Sequence, residues 1–434
     1  MSLPVPPRGS WPRPLLTAAA VALVVGGFWW AFGAWEPAPP REVVMATGTG
    51  GSAYAVFGAR YRAILGRSRV EVHLLPTAGA VENLARLRDA ASGVSVGFVQ
   101  AGTATAQDGE ALASLGTVFY EPLWLFNRGL DPPRGFAALR GKRIAIGPEG
   151  SGSRALALRT LALGGIDARS PDLLPLDPAE AAAQLTRGEI DAVAMVASWE
   201  SPAVHQLLAA PGVQLATFPR ADAHIALNPY LSKLVLPAGV ADLGRNIPPA
   251  DVVLVAPKAS LVVRRDLHPA LQYLLLDAAT EVHSPPGLFH RAGEFPAPEA
   301  IDLPLALDAR QFYKSGRPFL QRYLPFWIGV LAERLLLVLI PVVGVAYPLL
   351  RSLPALYAWA MRRRVFRLYG ELKLLEIEAE ERGAAAAPAD DLLARLDDLD
   401  ARASHLRVSR GHAWRVFTLQ HHVRLVRERL QKQA

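Results

Sequence analysis

Gly48, Gly50 and Gly51 stand in the run Thr47-Gly-Thr-Gly-Gly-Ser-Ala-Tyr54, directly behind the apolar, β-branched stretch Val43–Ala46. Glycine takes positive φ without steric cost and lets a ligand approach bare backbone. Ser52 is placed to cap a helix that continues through Phe57, Tyr61 and Ile64 at helical spacing. The first N–H groups of such a helix lack partners and carry the positive end of its dipole, so a carboxylate or phosphate is the natural guest. A plain strand–turn–helix junction with nothing bound is the competing explanation of this stretch taken alone.

Similar chemistry recurs at other strand ends. Val70–Leu75 reads as a strand and Pro76–Ala80 as a turn, with Val81, Leu84 and Leu87 marking the face of a following helix. Val94–Val99 is the next strand and ends at Gln100. In an open parallel sheet, ligands sit outside the carboxyl ends of the strands. Thr49, Gly50, Gly51, Ser52 and Tyr54 therefore converge with Thr77, Gly79, Asn83 and Gln100.

A second unit repeats the design. Val118–Asn127 reads as an apolar strand leading into it, and Arg143–Ile146 as a strand ahead of the glycine-rich turn Gly147–Ser153. A helix follows to Leu163, ended by Gly164 and Gly165. Gly188–Val196 is a turn and strand with Ser198, Trp199 and Glu200 at its carboxyl end. Ser151, Gly152, Ser153, Trp199 and Glu200 then face the first group across a cleft suited to a small anion. Asp251–Val263 reads as a strand returning to the first lobe.

Other chemistries fit poorly. The first glycine run satisfies a G-x-G-x-x-A dinucleotide pattern, but the second strand ends at Pro76-Thr77 where an acid is required. In the second glycine run, Ser153-Arg154 stands where a phosphate loop needs Lys-Ser/Thr. There is no G-x-S-x-G elbow, since Gly93-Val-Ser-Val-Gly97 matches the letters inside the strand Val94–Val99 and not at a strand-to-helix turn. H-E-x-x-H is absent and no nucleophile–base set emerges, so neither catalysis nor a cofactor is expected. There is no cysteine, hence no disulfide and no thiolate metal site. His421 and His422 are adjacent and read as helix surface, not as metal ligands. The formal charge of +7 is spread over many arginines without any nucleic-acid-binding signature, so nucleic acid is not an expected partner.

Hydrophobic residues make up 51% of 434, high for a purely soluble chain. Residues 15–35 form an uncharged apolar run ending in Trp29, Trp30 and Trp35, long enough for a span of roughly 20 residues. A cleaved signal peptide is the rival reading. The run exceeds the usual apolar region of about 7–15 residues, and its bulky tryptophans spoil a small-residue cleavage site. Residues 326–350 give a second expected span, followed by Arg362-Arg-Arg364. Arginines flanking both spans place residues 1–14 and 351–434 in the cytoplasm and the intervening domain outside. In the tail, Val365, Leu368, Leu372, Leu375 and Ala379 follow a 3–4 spacing. So do Leu392–Leu406 and Val416–Leu430, with a turn at Gly383–Pro388. These seams predict an antiparallel helical hairpin or a coiled coil.

Thr47–Tyr54, Leu75–Leu84, Val96–Gln100, Leu139–Gly147, Gly150–Ser153 and Gly188–Ala192 together resemble the TAXI family. These are solute-binding receptors of tripartite ATP-independent periplasmic (TRAP) transporters. Tyr323–Leu375 resembles that family's membrane-anchored members. The resemblance implies an α/β, two-lobed periplasmic-binding-protein fold (type II-like), here flanked by two transmembrane helices and a C-terminal helical tail. Residues 42–122 and 249–322 would form lobe one, and 123–248 lobe two. The implied protein is a bacterial inner-membrane receptor with its binding domain in the periplasm. Its ligand would be a small organic anion, a carboxylate or an amino acid such as glutamate, passed to TRAP-type permease subunits. The alternative is a sensor that signals to a cytoplasmic partner protein through the tail. The sequence departs from the family at Ala78-Gly79-Ala80, where Gly-Ser usually follows the threonine, and at Ala53 and Ala55 around Tyr54.

Overall fold

The computed structural model describes residues 22, 26–30, 39–130, 136–317, 319–383, 390–406 and 413–433. The expected span 15–35 lies largely outside the described residues, as does the turn at 383–388. One compact unit runs from Ala38 to Ala332, and Glu333–Ala434 falls in a second.

The first unit opens with β1 (Glu42–Ala46), α1 (Ala53–Arg67), β2 (Glu71–Leu75), α2 (Ala80–Arg88) and β3 (Val94–Gln100). β1 pairs in parallel with β2 on one side and β3 on the other. Such strands are covered on both faces, which is why β3 (VSVGFVQ) is apolar almost throughout. Tyr54, Phe57, Tyr61 and Leu65 recur at helical spacing on α1 and are all buried. Tyr54 stacks on Phe98 at 5.2 Å, and Phe57 meets Phe119 at 4.7 Å.

β4 (Leu112–Tyr120) and β5 (Leu123–Arg128) carry the chain into the second lobe. The apolar run 118–127 is therefore not one strand. Pro122 has no N–H to give a ladder, and the strand breaks at Glu121-Pro122. Lobe two comprises β6 (Ile144–Ala145), α3 (Gly152–Ala162), β7 (Leu173–Leu174), α4 (Pro178–Arg187), β8 (Ala192–Val196), α5 (Pro202–Ala209), β9 (Val213–Leu215), α6 (Ala221–Leu227) and β10 (Leu231–Leu236). Its sheet has the order β7-β6-β8-β5-β9, with β5 antiparallel to both neighbours.

β11 (Val252–Arg264) is the second crossing. Val252, Leu254, Val255 and Ala256 belong to the lobe-two core, whereas Ala259, Leu261 and Val263 belong to that of lobe one. The passage between lobes thus falls inside one strand, past residue 249. Its far half lies antiparallel to β3 and β4. α7 (Pro269–His283) and α8 (Leu307–Ser315) complete lobe one, with Ala306 and Ala309 in its core. After α9 (Phe319–Tyr323), Phe326 and Trp327 pack on the same core, and Trp327 Nε1 donates to Ser68 O at 2.8 Å. The Arg41 guanidinium lies 5.3 Å over the Trp327 ring. The first and last segments of this unit are therefore both fixed to lobe one.

α10 (Phe326–Gly383) is the long helix that continues into the second unit. Within it, Phe326–Gly344 has a mean hydropathy of 2.1 and is, among the described residues, the one stretch long and apolar enough to cross a membrane. α11 (Asp390–Ser404) and α12 (Ala413–Gln433) follow. Leu368, Leu372 and Leu375 of α10 share a buried core with Leu392, Leu396 and Leu399 of α11 and with Leu419, Val423 and Leu430 of α12. The seam residues that recur at 3–4 spacing are thus packed on one another in three helices.

Candidate functional site

Between the two lobes lies a cavity of about 410 Å³. Lobe one contributes Thr49–Tyr54, Ala78–Ala80, Gln100 and Glu121 to its lining. Lobe two contributes Pro148, Ser151–Ser153, Asp177–Ala179, Val196, Ala197 and Ser201–Ala203. The volume suits a small molecule.

Each lining segment has a local reason to be there. Gly51 has φ +80°, a left-handed turn that reverses the chain out of β1. Ser52 Oγ then accepts from Ala55 N at 3.3 Å and starts α1. Ser151 Oγ accepts from Arg154 N at 3.1 Å and starts α3. α2 begins at Gly79, whose φ of +133° excludes an ordinary side chain; Ala78 N is satisfied by Glu82 Oε2 at 2.8 Å. α4 and α5 start with Asp177-Pro178 and Ser201-Pro202, and neither cap side chain accepts a bond from its own helix. Five helix N-termini thus border one cavity, and each adds positive potential through its helix dipole. No lysine or arginine is among the described lining residues.

The two lobes touch around the cavity. Glu82 N donates to Gly150 O at 3.0 Å, and Gln100 Nε2 lies 3.4 Å from Gly152 O. Arg159 of α3 reaches back to Gly102 O of lobe one at 2.8 Å. The facing glycines allow this approach. A Cβ on Gly79 would stand 3.4 Å from Ser151 Cα, and one on Gly152 would collide with Gln100 Oε1.

The structure brings together Thr49, Gly50, Gly51, Ser52, Tyr54, Gly79, Gln100, Ser151, Gly152 and Ser153 on the cavity wall. The other four expected residues stand off it. Thr77 Oγ1 lies 2.9 Å from Thr47 O, and Asn83 Nδ2 donates to Thr47 O at 2.7 Å and to Phe98 O at 2.9 Å. These two buried side chains tie the ends of β1, β2 and β3 together behind the site, a positioning role. Trp199 packs on His205 at 4.6 Å and on Trp124 at 6.3 Å, and Glu200 is exposed. The cavity wall there is made instead by Val196, Ala197 and the start of α5.

Glu121 is a lining residue outside the expected set. It sits at the lobe crossing, buried, with Oε2 accepting from the Tyr54 hydroxyl at 3.0 Å. Burial pushes its carboxyl up to about 8, partly opposed by the Tyr54 bond. Burial likewise raises the Tyr54 hydroxyl, with the neighbouring Glu121 adding to the effect. Burial therefore favours the neutral form of Glu121 at pH 7, which does not repel an anion on the helix starts. A lone acid inside the apolar run 118–127, just ahead of a proline, was the available signal. The pairs Asp177-Pro178 and Ser201-Pro202 were a second one, because Asp or Ser before Pro marks a helix start.

Among the described residues, Glu42, Glu71 and His73 form the one group with metal-ligand geometry, their ligand atoms lying within 4.8 Å of one another. They are exposed on the β1–β2 face and take no part in the cavity wall.

The model of the NMT1-like family matches residues 45–314. Among solved structures, the periplasmic aliphatic sulphonate binding protein SsuA from Escherichia coli is similar at 18% identity and a TM-score of 0.37, covering 56% of this chain and 73% of that one. An ancestral arginine-binding protein bound to arginine is similar at 14% and 0.36, covering 56% and 92%. The VFT2 domain of BvgS from Bordetella pertussis is similar at 13% and 0.34, covering 58% and 91%.

Proposed function

The chain belongs to the NMT1-like family, and on that premise we propose that its first unit is an extracytoplasmic solute receptor. It closes on a small organic anion, a carboxylate or an amino acid, and passes it to a separate TRAP-type permease. The observation that carries this reading is the meeting of five helix N-termini at one inter-lobe cavity whose described lining holds no lysine or arginine. Such a site gathers an anion by backbone dipoles and N–H groups, and it releases the anion when the lobes part. A fixed arginine would hold the ligand through charge-assisted bonds roughly twice as strong as neutral ones.

The apolar stretch Phe326–Gly344 supports attachment to a membrane, with Arg362-Arg-Arg364 on the cytoplasmic side. Residues 15–35 would supply the second span. Two spans are too few to enclose a transport path, so transport needs another protein.

Calorimetry on residues 38–332 tests the receptor reading directly, using a panel of keto, hydroxy, amino and dicarboxylic acids. We expect saturable, one-to-one binding of at least one class. A flat response across the panel by a folded domain overturns the reading.

The tail favours a second reading. Its three helices bury a core of their own, more structure than a tether requires. A sensor would transmit occupancy through this bundle to a protein partner. Deleting residues 365–434 separates the two: uptake persists if the tail serves signalling alone.

A further inference from the structure

The tail separates its charges along its length. The sequence has no Asp or Glu between Glu333 and Glu371, nor between Asp400 and Glu428, while arginine recurs in both stretches. Helix register turns this into a spatial division. Tyr369 of α10 meets His422 of α12 at 5.9 Å, and Glu376 meets Arg429 at 3.7 Å with the same sequence offset, so these helices run parallel. α11 runs antiparallel, pairing Arg395 with Glu378 at 2.8 Å and Arg402 with Glu371 at 2.6 Å. Carried back two turns, the shared offset sets Trp414, Arg415 and Phe417 level with 361–364. Val365 and Val416 are both buried near this level, as continued packing requires. The acids therefore collect at one end of the bundle. There they pair with Arg395, Arg402 and Arg429, whereas the other end, where α10 arrives from its apolar stretch, carries arginines and aromatic rings in stretches that have no acid in the sequence.

That second end has the composition of a membrane interface. Trp414 is 62% exposed, Phe417 73% and Phe366 68%, and Arg362, Arg363 and Arg367 are exposed beside them. The Arg363 guanidinium lies 5.5 Å over Trp359, and that of Arg415 lies 5.4 Å over Trp414. Exposed rings of this size are unfavourable in water, and they are enriched at the headgroup level of a bilayer. Juxtamembrane arginines are attracted to anionic lipid headgroups.

We infer that this end of the three-helix bundle docks on an anionic phospholipid surface. Trp414 and Phe417 enter the headgroup layer, and Arg362, Arg363 and Arg415 bind lipid phosphates. The inference rests on α10 spanning the membrane as proposed above, with 345–361, where Arg351 is the one charged residue, also at membrane depth, because at about 1.5 Å per residue Arg362 lies roughly 27 Å past Gly344 along the helix. The docked face would hold the tail upright against the bilayer, with its acidic end facing the cytoplasm.

The cysteine-free sequence makes the test direct, since a single introduced cysteine is the only thiol. Full-length Phe417→Cys and Val343→Cys variants, both at exposed positions, each receive a nitroxide label. They are reconstituted into discs of phosphatidylcholine, with or without phosphatidylglycerol. Collision of the label with oxygen and with a water-soluble nickel complex reports its depth.

We expect the label at 343 in lipid in both discs, and the label at 417 to move from water to the interface when phosphatidylglycerol is present. Each change of Arg362, Arg363 or Arg415 to Gln should lower the docked-to-undocked ratio about fivefold. A label at 417 that stays in water in both discs, with 343 in lipid, overturns the docking and leaves the span intact. A label at 343 in water overturns the span, and the docking with it. Protection at 417 that ignores lipid charge but grows with protein density shows a second copy on this face and also overturns the proposal.

Discussion

The Tyr54 hydroxyl donates to Glu121 Oε2 at 3.0 Å, joining the first turn of α1 to the crossing between the lobes. Glu121 ionises near pH 8 because burial opposes its charge. An anion on the helix starts would meet a neutral partner below that pH and a repelling carboxylate above it. Affinity for carboxylates should therefore fall as pH rises past about 8, and Glu121→Gln should abolish that fall while keeping an acceptor for Tyr54. Titration calorimetry at a series of pH values checks this. A ligand whose ammonium group faces Glu121 would give the opposite slope.

The same carboxyl affects folding. Between its ordinary value of 4.5 and about 8, the folded state holds a proton that the unfolded state has released. Stability should therefore decline as pH rises through this window, and Glu121→Gln should flatten the decline. Denaturant unfolding of the two proteins from pH 5 to 8 measures it.

His283 gives the opposite trend. It is buried among Phe57, Phe119 and Tyr61, and burial lowers its value from 6.5 to about 3. Below 6.5 the unfolded chain takes up a proton that the folded chain refuses, so stability should fall as pH drops toward 3. His283→Phe retains an aromatic ring beside Phe119 and should remove this component, seen as a smaller loss of Tm on acidification.

The turn after β1 separates conformation from contact. Gly51→Val places a branched side chain at φ +80°, and should abolish binding with a stability loss of about 1–2 kcal/mol. Ser52→Ala removes the cap of α1, costing about 1 kcal/mol of stability, and should weaken binding less. Normal binding by a folded Gly51→Val protein would place the ligand elsewhere.

Gly152→Val tests lobe closure. A side chain there would meet Gln100 and Ala80 across the cleft, whereas the backbone at 152 is ordinary helix start. The variant should fold with near-normal stability, lose affinity, and show a larger radius of gyration by small-angle scattering at saturating ligand.

Much of this site was legible because helix starts leave local marks. Gly50-Gly51-Ser52, Thr77–Gly79 and Gly150–Ser153 announced three junctions, and sheet topology supplied their convergence. Thr77 and Asn83 read as ligand contacts in the sequence because polar residues at strand ends look alike whether they face the ligand or the neighbouring strand. Their bonds to Thr47 O settle which way they face. Glu121 carries no comparable mark, because a carboxylate in an apolar run declares burial but not its surroundings. The division of β11 between two cores was equally hidden, since both halves are apolar and β-branched.

The segments on either side of the receptor unit both end on lobe one, through β1 on one side and through α8 and the Trp327–Ser68 bond on the other. Mechanically, lobe one is a mount gripped at two points, and lobe two is an arm hung on two hinge strands. A ligand can move the arm but has little purchase on the mount. A protein that bound lobe one alone would be blind to whether the cleft is full. A permease that read occupancy would have to touch lobe two or straddle the gap, and a signal sent through the tail would need a ligand-dependent shift within lobe one, where α10 is attached.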